Sequence, residues 1–279
     1  MQQDTPLAIF LSPHFDDIAL SCGGMAARLS RAGARCISLA IFAGSPAGDA
    51  PLSPYARQLH DQWAEASGAA GQDPNQVRRE EERQAARLLG LELVLLDLPD
   101  APYRRDAAGR SLYNSDQDLF GNVAPEERRT LVPRIAAEVQ RIARETGMRG
   151  RVRVFAPLGV GHHIDHQLVF SAVRRLAPRY GVLFYEDYPY AADDGALRSR
   201  LEELHLPMQP RVTSITDLIG VKIAAIARYK SQLDILFGGS EAMPAAVRAY
   251  AQSVAGASGP VQYAERFWYA PPVYVLGDA

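Results

Sequence analysis

Short apolar runs separated by amphipathic stretches set the pattern of this chain. Leu7-Ala8-Ile9-Phe10-Leu11 has no polar position, which predicts a strand covered on both faces. It ends at Ser12-Pro13, and helical spacing follows over residues 17–29, with Gly33 as the stop signal. Residues 36–42 read as a second strand. Strand, helix, strand at this spacing predicts a βαβ unit of a parallel sheet with a right-handed crossover.

The alternation continues. Residues 77–89 predict a helix stopped by Gly90, 93–98 a strand, 125–145 a long amphipathic helix and 152–156 a strand. Residues 165–176 then predict a helix and 182–185 a strand. The last third reads as a strand at 212–215, one helix over 218–236, another over 243–254, and late strands at 263–269 and 273–276. The expected fold is α/β, Rossmann-like and doubly wound: a mostly parallel sheet with helices on both faces. No linker, low-complexity stretch or repeat divides the chain, so residues 1–279 are expected to form a single domain, with 1–6 a flexible lead-in. Two long loops, 44–54 and 100–122, follow strands on the side where such sheets bind ligands and are expected to wall a pocket.

Composition narrows the function. Hydrophobic residues make up 47% and charged residues 22%, which is ordinary for a globular protein. A net charge of −2 provides no basic field for nucleic acid or anionic lipid. No apolar run approaches the roughly 20 residues that span a bilayer. The N-terminus shows no secretory pattern, so a cytoplasmic location is expected. Only Cys22 and Cys36 are present, which excludes a disulfide scaffold; Cys22 reads as a buried thiol. The expected partner is a small molecule, and a homo-oligomer is compatible with the sequence.

Two segments carry chemistry: Pro13-His14-Phe15-Asp16-Asp17 and His162-His163-Ile164-Asp165-His166. Each gathers imidazole and carboxylate groups where a strand gives way to a loop. His14 and Asp17 are three residues apart across a strand-to-helix turn, and His163 and His166 have the i, i+3 spacing of one helical turn. The simplest ligand set for a divalent ion is His14, Asp17 and His166, three protein ligands with one position left for water. Zinc lowers the pKa of bound water from about 15.7 towards about 7. Asp16 is then free as a general base, and His163 to stabilise an oxyanion or protonate a leaving amine. Asp165 suits a hydrogen bond to a histidine ring, and His162 reads as structural or rim-exposed. Taken alone, Asp16-Asp17 is an ordinary helix start, and a histidine pair is usually solvated. The conjunction at one end of one sheet points to metal-assisted amide or ester hydrolysis.

At these residues the chain resembles the PIG-L / LmbE-like family of zinc-dependent N-deacetylases. That family carries a Pro-His-Pro-Asp-Asp-Glu type motif after its first strand and a later His-x-x-His motif. The resemblance implies His14, Asp17 and His166 as zinc ligands, Asp16 as general base and His163 as transition-state stabiliser. Cys22-Gly23-Gly24, the helix over 78–90, Leu98-Pro99-Asp100, Tyr229-Lys230-Ser231-Gln232 and Ala264-Glu265-Arg266-Phe267 are similar to further family motifs. Phe15 and Ile18 depart from the usual proline and glutamate, which marks a divergent member. The resemblance implies an N-acetylglucosamine-type substrate or conjugate, with Arg78 and Asp100 as substrate contacts. Zinc is the implied cofactor, and iron(II) or another divalent ion fits the same donors.

Tyr185, Asp187, Tyr188 and Tyr190 are candidates to stack on a sugar ring, with a packed loop as the equal alternative. Arg104, Arg105 and Arg110 read as a solvated loop, with contact to an anionic substrate as the alternative, and Trp63 and Trp268 as core or rim aromatics. The rival to a deacetylase is a carbohydrate-binding or regulatory protein with weakened catalysis. A nucleotide-binding Rossmann protein is the third reading, and no G-x-G-x-x-G turn follows the first strand.

Overall fold

The computed structural model describes residues 6–46, 51–69, 71–146, 152–256 and 260–270. The expected strand at 273–276 and the first five residues of the lead-in lie outside this set. Pro6 already accepts the Arg35 N–H at 3.0 Å.

One seven-stranded sheet organises the chain, in the order β3-β2-β1-β4-β5-β7-β6. Its strands are β1 (Leu7–Ser12), β2 (Arg35–Ala40), β3 (Glu92–Leu95), β4 (Val152–Pro157), β5 (Gly181–Tyr185), β6 (Gln209–Ser214) and β7 (Ala264–Tyr269). Strands β1 to β5 pair in parallel, and β7 runs antiparallel to both its neighbours, β5 and β6. Between them lie α1 (Asp17–Arg31), α2 (Pro54–Ser67), α3 (Pro74–Leu89), α4 (Asp116–Leu119), α5 (Pro125–Glu145) and α6 (Ile164–Arg174). Helices α7 (Asp194–Glu203), α8 (Ile219–Ile226), α9 (Lys230–Phe237) and α10 (Met243–Ala255) complete the set.

The period of two in β1 divides the core. Leu7, Ile9 and Leu11 pack on one face with α5 and α6, while Ala8 and Phe10 pack on the other with α1, α3, α8 and α10. Each fully buried Leu, Ile or Phe stabilises the fold by roughly 1.5–3 kcal/mol. Phe10 stacks on Phe155 of β4 with ring centroids 4.5 Å apart. Crossovers from β1 go towards β2, whereas β4 and β5 build outwards on the other side. The sheet therefore has its topological switch point between β1 and β4, where ligands of such folds bind.

Several boundaries differ from the sequence pattern, each for a local reason. The expected helix 218–236 is two helices, because Tyr229 leaves helical geometry (φ −86°, ψ 61°). The break lets the Tyr229 hydroxyl donate to Glu82 Oε2 at 2.5 Å and lets the Ser231 N–H and hydroxyl donate to Glu81. Helix α1 is kinked at Cys22 (φ −141°, ψ 24°). The freed Gly24 and Met25 N–H groups donate to Glu265 of β7, which Lys222 also pairs at 2.7 Å. Strand β3 ends early, and residues 97 and 99 bridge instead to Phe42 and Gly44. A side chain at Gly44 would meet the Leu98 backbone at 2.7 Å, so this close approach requires glycine. Helices α2 and α7 were not foreseen: α2 buries only Tyr55, Ala56 and Trp63, and α7 only Leu197 and Arg200.

Candidate metal centre and active site

The turn after β1 and the turn after β4 face each other across the switch point. His14, Asp16, Asp17, Arg78, Asp100, His163 and His166 all line one cavity of about 530 Å³. Asp165 does not; it is fully buried behind His14.

Asp17 links the two motifs. Its Oδ2 accepts the His14 N–H at 2.7 Å and lies 3.6 Å from His14 Nδ1, while Oδ1 lies 3.4 Å from His166 Nε2. The far edges of both rings are held. His14 Nε2 is 3.1 Å from Asp165 Oδ2, and His166 Nδ1 is 2.6 Å from Asp187 Oδ1. Asp16 occupies the N-cap position of α1 yet makes no side-chain capping bond, although only 7% of it is exposed. The ordinary helix-start explanation therefore leaves its carboxylate unspent in the cavity wall.

His163 is delivered by a tight turn in which Gly161 (φ 84°) and His162 (φ 64°) are both left-handed. His163 Nδ1 accepts the Asp165 N–H at 3.2 Å. That acceptor role places the neutral ring's proton on Nε2. Burial, with His14 next in effect, holds the pKa of His163 well below its ordinary value, so the ring is a neutral donor. His162 points away and meets Glu203 at 3.1 Å, as expected for a rim residue.

Among the described residues, two donor sets could hold a cation: His14 with His163 and His166, and His14 with Asp100 and Asp165. The electrostatics suit one. Burial disfavours a charged ring at His14, but Asp100, Asp165 and Asp17 outweigh it and hold the pKa up at about 9. Burial likewise raises the pKa of Asp17, against the pull of His166 and His14. Carboxylates and imidazoles buried together in this way are the donor chemistry of a divalent metal site.

Elsewhere on the cavity wall, Arg78 is only 6% exposed. Its guanidinium lies 4.3 Å from the Trp63 ring centroid and 5.6 Å from that of Phe15, and 3.7 Å from Asp100 Oδ2. Phe15, one of the departures from the family motif, is thus part of the aromatic bed of Arg78. Ile18, the other, is 2% exposed in the core.

Some expectations are corrected. Tyr185 is fully buried and donates to the Leu11 carbonyl at 2.8 Å, so it cannot stack on a ligand. Asp187 is also buried and holds His166 rather than a sugar. Arg104 is not solvated; it is 5% exposed and bonds Asp165, whereas Arg105 and Arg110 are exposed as expected. Tyr188, Tyr190 and Trp63 do line the cavity, and Trp268 donates to Glu186 at 2.7 Å away from it. Sequence reasoning missed Tyr55, Asp116 and Phe120, which complete the wall. The 100–122 loop signal already placed two of them.

Fold and site together define an α/β protein with a metal-type donor cluster at the switch point of its sheet. Residues 9–177 match the profile of the PIG-L family, described as GlcNAc-PI de-N-acetylase, and the chain belongs to that family. It is 30% identical over 251 residues to a 2'-N-acetylparomamine deacetylase of Niallia circulans, covering 85% of each chain. To the 2'-N-acetylparomamine deacetylase of Streptomyces fradiae it is 31% identical, covering 81% of this chain and 73% of the relative. Among solved structures, the zinc-inhibited form of teicoplanin deacetylase Orf2 superposes with a TM-score of 0.78 at 26% identity, covering 94% of this chain and 97% of the other.

Proposed function

We propose that this protein is a metal-dependent hydrolase that removes the acetyl group from an N-acetylated amino sugar or its conjugate. The observation that carries the reading is the free carboxylate of Asp16, uncapped in a cavity where His14, Asp17 and His166 converge. Deacetylase relatives and family membership support it.

His14 through Nδ1, Asp17 through a carboxylate oxygen and His166 through Nε2 would hold the ion, zinc in the first instance and iron(II) by the same chemistry. Asp17 is preferred to His163 as third ligand because its two oxygens face both other donors and it brings negative charge. When bound, such an ion polarises the acetyl carbonyl and acidifies water at its open position. Asp16 takes the proton of the attacking water and passes it to the leaving amine. His163 donates its Nε2–H to the carbonyl oxygen as that oxygen becomes anionic. Asp165 and Asp187 keep the two ligand rings in the required orientation.

Arg78 is paired with Asp100 and bedded on aromatic rings, so its charge is not free for a phosphate. Beyond that pair and the proposed ligands, the cavity wall carries Asp16 and Asp116. This supports a neutral or cationic amino-sugar conjugate over a phosphorylated one.

The test is acetate release from a panel of N-acetylated amino sugars, with and without a chelator. Release that stops on chelation and returns with zinc supports the reading. No release from any substrate, with metal content verified, would favour a carbohydrate-binding protein on the same scaffold.

A further inference from the structure

Arg104 sits in a loop where solvent exposure is the default, yet it is 5% exposed. Its Nη1 donates to Asp165 Oδ1 at 2.5 Å, and its Nε lies 2.7 Å from Glu127 Oε1 on α5. Its guanidinium also lies 5.0 Å and 5.2 Å from the ring centroids of Phe42 and Tyr113. The other oxygen of Asp165 is the one that faces His14 Nε2 at 3.1 Å. Guanidinium, carboxylate and imidazole thus form a chain from the interior to the donor cluster.

Stability does not account for this chain. Buried ion pairs add little net stabilisation because both charges are desolvated. Among the described residues Arg104 also leaves its Nη2 and Nε buried with no hydrogen-bond partner, the Nε near Glu127 only as an ion pair, which costs more. What the guanidinium does settle is a competition. Asp100 Oδ1 and Asp165 Oδ2 face the same His14 nitrogen, at 3.6 and 3.1 Å, and a single N–H is best directed at one of them.

We propose that Arg104 is a positioning residue for the metal centre. By clamping Asp165 it directs the His14 Nε2–H to that carboxylate, which turns the Nδ1 lone pair towards Asp17 and His166. Asp100 is left facing the cavity beside Arg78. This inference rests on the metal-centre reading above.

The experiment is zinc affinity of the metal-stripped protein, by competition with a chromophoric chelator, with circular dichroism to confirm folding. His166→Ala is the control: if it binds zinc like wild type, the metal-centre reading itself fails. Given a loss there, Arg104→Met should weaken zinc binding about 10–100-fold, the usual effect of removing a partner behind a ligand. Arg104→Lys should recover part of that loss. Lys222→Met, which breaks a buried ion pair with Glu265 that touches none of the donors, should keep wild-type zinc affinity while losing thermal stability. Wild-type affinity in folded Arg104→Met overturns the proposal, and so does an equal loss in Lys222→Met. Should Arg104→Met not fold, Arg104→Lys with Asp165→Asn decides: the double variant should bind no more weakly than Asp165→Asn alone, and additive losses overturn the proposal.

Discussion

His166 and Asp187 are fixed against each other in the site, with Nδ1 and Oδ1 2.6 Å apart and both residues buried. The second oxygen of Asp187 accepts the Gly159 and Val160 N–H groups at 2.7 and 2.9 Å. A carboxylate held by three partners cannot turn to suit the ring, so the ring must suit it. His166 is thereby held with Nδ1–H towards Asp187 and its Nε2 towards Asp17. Asp187→Ala is expected to reduce zinc affinity about 10–100-fold, as loss of a ring-orienting carboxylate usually does. Competition against a chelator measures it, and an unchanged affinity would contradict the orienting role.

Asp16 offers a separation of structural from chemical roles. The Asp16 side chain makes no capping bond and asparagine has nearly the same shape, so Asp16→Asn should leave thermal stability and zinc content unaltered. The rate of acetate release should fall about 10²–10⁴-fold, the span of a general base. Normal turnover by the folded, metal-loaded variant would contradict the general-base role.

Glu82 gives the stability curve a predictable slope. Burial, opposed by the Tyr229 hydroxyl, raises its pKa from 4.5 to about 8. The native state therefore keeps a proton that the unfolded chain releases, so the contribution is full below pH 4.5 and is lost as pH rises to about 8. Denaturant midpoints across this window should decline in wild type, and the decline should flatten in Glu82→Gln. Identical slopes would show that Glu82 is not the titrating group.

Cavity charge predicts substrate preference. Asp16 and Asp116 are the wall carboxylates left facing a substrate once Asp100 pairs Arg78 and Asp17 is given to the ion. An N-acetylated sugar bearing an additional ammonium should show higher kcat/KM than its phosphorylated counterpart. The advantage should shrink at high ionic strength, because the exposed Asp116 carboxylate is screened. A preference for the phosphorylated compound, or indifference to salt, would run against this account of the pocket.

Much of the architecture could be read from β1 outwards. A five-residue apolar run with no polar position has few alternatives to a strand buried on both faces, and the turn after it had to face ligand. That His14, Asp16, Asp17, His163 and His166 gather at one cavity was legible because each motif is local, its spacing set by one turn of chain. Asp187 and Arg104 were not. A carboxylate after a strand and an arginine in a loop are ambiguous until the tertiary structure brings Gly159 or Asp165 against them. Helix 218–236 was misread for a similar reason: its apolar spacing is continuous, and only contact with Glu81 and Glu82 of α3 explains the break at Tyr229. Helix α2 carried its signals, Ser53 as N-cap and Pro54 at the first position, but has too few buried residues to show periodicity.

The most direct measurement is anomalous diffraction from zinc-loaded crystals at the zinc edge. The account predicts one peak about 2.0–2.2 Å from His14 Nδ1, an Asp17 oxygen and His166 Nε2, with Asp16 close by and unligated. A peak among His14, Asp100 and Asp165, or none in the cavity, would contradict it.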